Sequence, residues 1–260
     1  MALDERLISR AIIEHFTEKL LDSFEVEVAL VGAGPAGLLA AYRLASAGRK
    51  VCLIERKLSP GGGMWGGGMM CSEIVVQRRA KSILDELGVR TRAFQGEYFT
   101  ADSVEATSSL VYHAVHAGAR LFNLMCVEDV CVRGPRVTGL VVNWTAVEMA
   151  DLHVDPLTIA ARYVVDATGH DADVVRCLEG RVDGLRTPSG RREGQRPLWA
   201  ERAEQTTIEN TREVYPGLWV AGMCANATFG SFRMGPIFGG MLLSGERVAE
   251  QLLERLVDDP

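Results

Sequence analysis

Two hydrophobic periods alternate along this chain. Leu7, Ile8, Ala11, Ile12, Phe16, Leu20 and Leu21 recur at helical spacing with charged residues between them, which predicts an amphipathic helix at the N-terminus. Val26 to Val31 is a near-continuous apolar run ending at Gly32, as expected of a strand buried on both faces. Residues 35–47 predict a helix stopped by Gly48, with Ala36, Leu39, Ala40, Ala41 and Leu44 giving it a small-residue face for close packing. Residues 51–54 predict a second strand with Glu55 at its C-terminal end. The next stretch holds six glycines between Gly61 and Met69, but Met64 and Trp65 inside it are foreign to a flexible spacer. Beyond it, 73–88 and 101–117 read as helices, and 119–144 as two or three strands turning at Gly134-Pro135. Residues 162–169 and 218–222 read as buried strands, 180–205 as irregular and polar, and 236–256 as a closing helix. No internal repeat or second-domain boundary interrupts this order. It predicts one α/β domain over 1–260, with residues 1–24 as a helical extension. The fold expected is a Rossmann-like FAD/NAD-binding fold of the two-dinucleotide-binding type, with a central parallel sheet and a small antiparallel β insertion.

Composition narrows the function classes. With 47% hydrophobic and 24% charged residues in 260, the chain can bury a sizeable core. A net charge of −6 leaves no basic stripe for phosphates, so no nucleic-acid partner is expected. The basic cluster from Arg186 to Arg196 is broken by Pro188, Ser189 and glycines and reads as a solvated loop. No apolar run reaches the ~18 residues of a membrane span. The N-terminus carries acids early and has no uninterrupted apolar core, unlike a signal peptide. Six cysteines without a CxxC pair read as reduced thiols, which predicts a cytoplasmic protein. Cys126 and Cys131, in strand-like sequence, read as small core residues.

The chemistry begins at Gly32-Ala-Gly34-Pro-Ala-Gly37. A GxGxxG alone is weak, but this one follows a strand, opens a helix, and has Glu55 eighteen positions beyond its last glycine. Gly32 would make the tight turn, Gly34 admit a pyrophosphate to the backbone N–H groups, and Gly37 let helix and strand approach. The helix N-terminus adds partial positive charge. Glu55 can accept both ribose hydroxyls, which favours NAD or FAD over NADP. Val165-Asp-Ala-Thr-Gly169 and Pro216-Gly-Leu-Trp-Val-Ala-Gly222 are similar to the later signature strands of two-dinucleotide-binding flavoproteins. Met223 stands where those proteins usually place an Asp for flavin-side hydroxyls, which counts against FAD. A second constellation is His153-Val154-Asp155 with His170. On a strand, residues 153 and 155 would share a face, and His170 would sit beyond a strand end, where α/β ligands bind. Two imidazoles and a carboxylate suit a first-row metal such as Fe(II). His113 and His116 have no further candidate ligand nearby and read as a polar helix face.

Together these residues resemble the thiamine thiazole synthase family. The resemblance runs from the N-terminal helix to about Leu253 and is most specific at four places. These are Gly61-Gly-Gly-Met-Trp-Gly-Gly-Gly68, His153-Val-Asp-Pro156, Ala167-Thr-Gly-His-Asp171 and Arg233-Met-Gly-Pro-Ile-Phe-Gly-Gly240. It implies an enzyme that builds an adenylated thiazole carboxylate from NAD, glycine and a sulfur source, with NAD consumed as substrate. Family members that surrender their own sulfur have a Cys where this chain has His153, and no Cys lies within twenty residues of it on either side. The resemblance is therefore to the archaeal and bacterial branch, which uses free sulfide with Fe(II) over many turnovers; Cys71 and Cys224, as alternative donors, match no donor motif. It implies that Asp155, from a neighbouring subunit, and His170 ligate iron. His153 and Val154 would lie at the site, and Arg233 would clamp the glycine carboxylate through its planar fork. Ala36, Glu55, Arg56, Gly63, Val127 and Met223 would line the NAD-derived adenylate. The assembly implied is a homo-octamer.

Two other readings remain at the level of sequence. One is an FAD-dependent oxidoreductase of the same superfamily, and the other a non-catalytic carrier or sensor of NAD or of the thiazole adenylate. A ribose-1,5-bisphosphate isomerase finds no particular acid/base pair to support it.

Overall fold

The computed structural model describes residues 3–258. Helix α1 (Glu5–Leu21) precedes strand β1 (Glu25–Val31), and α2 (Pro35–Ser46) carries the chain to β2 (Val51–Glu55). A 3-10 turn at Gly62–Gly66 leads to β3 (Glu73–Gln77), α3 (Arg78–Glu86), β4 (Arg92–Phe94), β5 (Tyr98–Asp102) and α4 (Ser103–His116). The chain returns through β6 (Arg120–Asn123), the hairpin β7 (Met125–Arg133) and β8 (Arg136–Trp144), α5 (Thr145–Met149), β9 (Leu157–Asp166) and α6 (Asp173–Leu178). It finishes with β10 (Arg196–Leu198), α7 (Ala200–Glu209), β11 (Arg212–Tyr215), β12 (Leu218–Val220), α8 (Met223–Phe229), β13 (Phe232–Arg233) and α9 (Gly239–Asp258).

The central sheet runs β11-β12-β9-β1-β2-β6, parallel from β12 to β6. The β7–β8 hairpin adds antiparallel to Leu157–Ala160 at the start of β9, while β12 pairs with its last residues, Val164–Asp166. This is the Rossmann-like α/β arrangement that the sequence predicts. Strand side chains alternate between two cores. Val28, Leu30, Val51, Leu53, Tyr163 and Val165 pack beneath α2, α4 and α9. Ala29, Val31, Cys52, Ile54 and Val164 face the hairpin, α6 and α8. Burial on both faces is why these strands read as continuous apolar runs.

Several elements differ from expectation. Residues 73–88 hold a strand before their helix, with Ile74 and Val76 alternating inward ahead of Arg78, and 101–117 likewise begin in β5. A period-2 segment of five residues running into a period-3.6 segment reads as one longer helix. Residues 180–205 contain β10 and the start of α7. Cys126 is buried as expected, but Cys131 is only half-buried. Helix α1 forms, capped by the Asp4 side chain, yet none of its residues is buried. Phe16 and Leu20 touch the hairpin-side core, while Leu7, Ile8, Ile12, Ile13 and Leu21 are exposed. Among the described residues no helix is long and apolar enough to cross a membrane.

Candidate active site

The C-terminal ends of β1, β2 and β9 open into one cleft of about 440 Å³, a volume typical of small-molecule sites. Gly32, Gly34, Ala36, Glu55, Arg56, Gly63, Val127, His170 and Met223 all line it. The turn is built as its spacing implies. Gly32 adopts φ +96°, and a Cβ there would lie 2.5 Å from the Ala167 carbonyl oxygen. A Cβ on Gly37 would lie 2.0 Å from the Gly32 carbonyl oxygen, so this glycine is a packing requirement inside the turn and not a cleft wall. Gly34 and Gly63 instead face open space, with nothing within 4 Å of a Cβ on either. That is the room a pyrophosphate needs at the N-terminus of α2.

Glu55 is buried and bound at both oxygens. Ala33 N–H donates to Oε2 at 2.9 Å and Lys57 N–H to Oε1 at 2.8 Å. The carboxylate thus ties the glycine turn to β2, and each oxygen keeps a lone pair for a ribose hydroxyl. Arg56 stands at the mouth, paired with Asp171 at 3.6 Å and Asp173 at 3.4 Å. Burial raises the Asp173 carboxyl above the usual range.

The turn after β9 is stiffened by a residue whose role the motif did not disclose. Asp166 is fully buried, and its carboxylate accepts from the Thr168 N–H and hydroxyl at 3.0 and 2.7 Å. It also accepts from the Val174 and Val175 N–H groups at the start of α6, both at 2.9 Å. His170 sits on this framed turn, exposed at the cleft, with Nδ1 2.8 Å from Gln195 Oε1. Gln195 comes from the irregular polar stretch 180–205. A single glutamine in such a loop carries no pattern that could have marked it.

The remaining site residues stand apart from the cleft. His153, Val154 and Asp155 are exposed and lie outside any strand, in the connection from α5 to β9 after Asp151, which has φ +50°. The same-face argument for 153 and 155 therefore does not apply. That connection is tethered by Asn143 Nδ2 donating to the Val154 carbonyl oxygen at 3.0 Å. Arg233 is exposed on β13. Among the described residues no three His, Cys, Asp or Glu side chains of the chain converge as a metal site. His170 lines the cleft, and Asp155 is not among its lining residues.

The thiols near the cleft are poor nucleophiles. Burial, with the Glu148 carboxylate beside it, pushes the Cys126 thiol up to about 11, and burial raises Cys177 and, still more, Cys224.

Segment 235–240 closes the cleft with Gly235 and Phe238 in its wall. It is pinned to β3 by Phe238 N–H donating to the Val75 carbonyl oxygen at 2.9 Å. Beneath it lies Glu204, 6% exposed, which accepts from Gln77 Nε2 and has one oxygen without a partner. Burial raises its carboxyl above its ordinary value, so the fold disfavours the charged form relative to the unfolded chain. Stability from this group is complete below the unfolded carboxyl's range and falls as pH rises through the raised value. Glu204→Gln should therefore raise the melting temperature progressively as pH rises from below the ordinary carboxyl range to above it, and change it little at the acid end. Thermal unfolding across that range checks this; a gain independent of pH would refute it.

Comparison with known proteins decides the family. Residues 9–238 match the model of the Thi4 family. The chain belongs to the Thi4 family. A Desulfosudis oleivorans protein named thiamine thiazole synthase is 59% identical over 257 residues, covering 98% of this chain and all of that one. A Methanothermobacter thermautotrophicus protein of the same name is 58% identical with the same coverage. The crystal structure of Thermovibrio ammonificans THI4 superposes with a TM-score of 0.95 at 51% identity, over 99% of this chain and 100% of that chain.

Proposed function

We propose that this Thi4 protein is a thiamine thiazole synthase, a pentosyl-transferring enzyme that assembles an adenylated thiazole carboxylate from NAD, glycine and free sulfide. The observation that carries the reading is the cleft. It has a dinucleotide turn with open space before Gly34, a ribose-ready Glu55, and a histidine at the far side of the same cavity. Glu55 would hold the adenosine ribose and exclude a 2′-phosphate. Arg56 would lie along the adenylate, and Arg233 would clamp the glycine carboxylate as a bidentate donor.

The sulfur source follows from what stands at 153. His153 cannot supply sulfur, and the thiols of the cleft are held protonated, which favours sulfide from solution. Fe(II) fits the donor chemistry of one imidazole and one carboxylate. His170 and the Asp155 of a neighbouring copy would hold it, and when bound it supplies Lewis-acid polarisation. The exposed positions of His153 and Asp155, and the apolar residues left uncovered on α1, support an oligomer that shares its sites, with the octamer as the expected form. We place the enzyme in the cytoplasm. The FAD reading gains nothing from the structure, since Met223 is buried and offers no hydroxyl acceptor.

The test is anaerobic incubation with NAD, glycine and sulfide, with and without Fe(II), followed by mass spectrometry. Several equivalents of adenylated thiazole per chain, dependent on sulfide and iron, are expected. A single equivalent with a chain lighter by the elements of hydrogen sulfide would mean that a cysteine is consumed. Neither thiazole nor nicotinamide would end the synthase reading.

A further inference from the structure

We infer that Gln195 is a positioning residue that fixes the tautomer and ring orientation of His170, and that this is the purpose of the polar loop carrying it. The inference rests on the proposal that His170 is a metal ligand.

The amide bridges two walls of the cleft. Its Nε2 donates to the Met223 carbonyl oxygen at 3.5 Å, on the first turn of α8, and its Oε1 lies 2.8 Å from His170 Nδ1. With the NH₂ end directed to a carbonyl, the end facing the imidazole is an acceptor. Nδ1 must then carry the proton, which leaves the lone pair on Nε2. A histidine ligand held in this way keeps one orientation and gains basicity at the ligating nitrogen. The loop is rigid enough to do this. Glu193 N–H donates to the Thr228 carbonyl oxygen at 3.0 Å, Gly194 N–H to that of Ala227 at 3.0 Å, and Arg196 N–H to that of Ser231 at 2.9 Å. Three backbone ties, two before Gln195 and one after it, thus bracket it against the end of α8. Arg192 adds a bond to the Asp171 carbonyl oxygen at 3.1 Å, next to His170 itself. The loop therefore holds both the histidine's partner and the backbone of the residue that follows the histidine.

The test uses the intact protein and Co(II) as the probe, read by its visible absorption and by calorimetry. Gln195→Leu should weaken Co(II) binding by about 10–100-fold, the usual cost of losing such a partner. NAD binding should persist. Gln195→Glu keeps an acceptor on Nδ1 and should restore Co(II) affinity and the parent spectrum, which a purely structural role for the side chain would not do. Parent-like Co(II) affinity in Gln195→Leu, with binding lost in His170→Ala, overturns the Gln195 assignment alone. Equal Co(II) binding by the parent and His170→Ala overturns the ligand reading and this inference with it.

Discussion

Gly37→Ala should abolish NAD binding and lower the melting temperature by several degrees, whereas Gly34→Ala should abolish binding and leave the melting temperature unchanged. The two glycines belong to one motif but do different physical work. At position 37 an added methyl would lie 2.0 Å from the Gly32 carbonyl oxygen and 3.4 Å from the Ala167 Cβ. Gly32 cannot retreat, because it is itself held at φ +96° against the Ala167 backbone. The clash is between backbone and methyl with no flexible side chain to yield, so the turn must open; overpacking of this kind costs about 1–3 kcal/mol or more. In a protein somewhat above 250 residues each kcal/mol moves the melting point by about 2–4 °C. At position 34 the backbone is ordinary, with φ −77°, and a methyl meets nothing within 4 Å, so the free protein bears it without strain. The methyl would instead occupy the space in front of the α2 N-terminus, where the phosphates are expected. Thermal unfolding and an NAD titration on both variants separate the two effects. Unimpaired binding in Gly34→Ala would show that the phosphates do not approach this turn.

The parts of this fold legible in the sequence are those in which one period governs a long segment. Strands β1, β2 and the end of β9 announce themselves because both faces are buried, whereas the half-exposed start of β9 at Leu157–Ala161 does not, and α2 stands out because it starts at a glycine motif and ends before Gly48. Where a five-residue strand abuts a helix, as at Gln77–Arg78, the two periods blur into one and the boundary is lost. Glu55 was legible because its place at a strand end has a fixed meaning beside GxGxxG. Gln195 and Glu204 are not, because their importance comes from partners far along the chain, and Asp166 is not because its nearby partners are mostly main-chain N–H groups that no side-chain pattern marks. Gln195 meets His170 across 25 positions and Glu204 meets Gln77 across 127. His153 and Asp155 stand out as a pair in the sequence, but the connection that carries them forms no strand, since a short polar connection has no period of its own. The helical pattern of α1 is plain in the sequence, but no sequence pattern tells an apolar stripe that meets its own core from one left on the surface.

His170→Ala is expected to reduce thiazole formation by about 10³-fold or more, the loss of roughly 4 kcal/mol in the transition state, while folding and NAD binding survive. His170 is exposed, and its side chain is bonded to Gln195 at the end of a turn whose rigidity comes from Asp166 and Thr168. Removing the imidazole therefore costs little in packing and removes chemistry. Asp155→Ala should behave in the same way, because Asp155 too is exposed on a connection tethered through a backbone carbonyl. The pair yields more when combined. If a site takes His170 from one copy and Asp155 from its neighbour, each inactive variant still holds the half that the other lacks. Unfolding and refolding the two together at equal amounts would give random oligomers in which about a quarter of the sites contain both intact residues. Activity should return to about that fraction of the parent value, far above what either variant shows alone. A site completed within one chain would give none, since no single chain in the mixture is whole. The same experiment thus weighs the shared-site proposal directly, and the separation of Asp155 from the cleft is the reason to expect recovery.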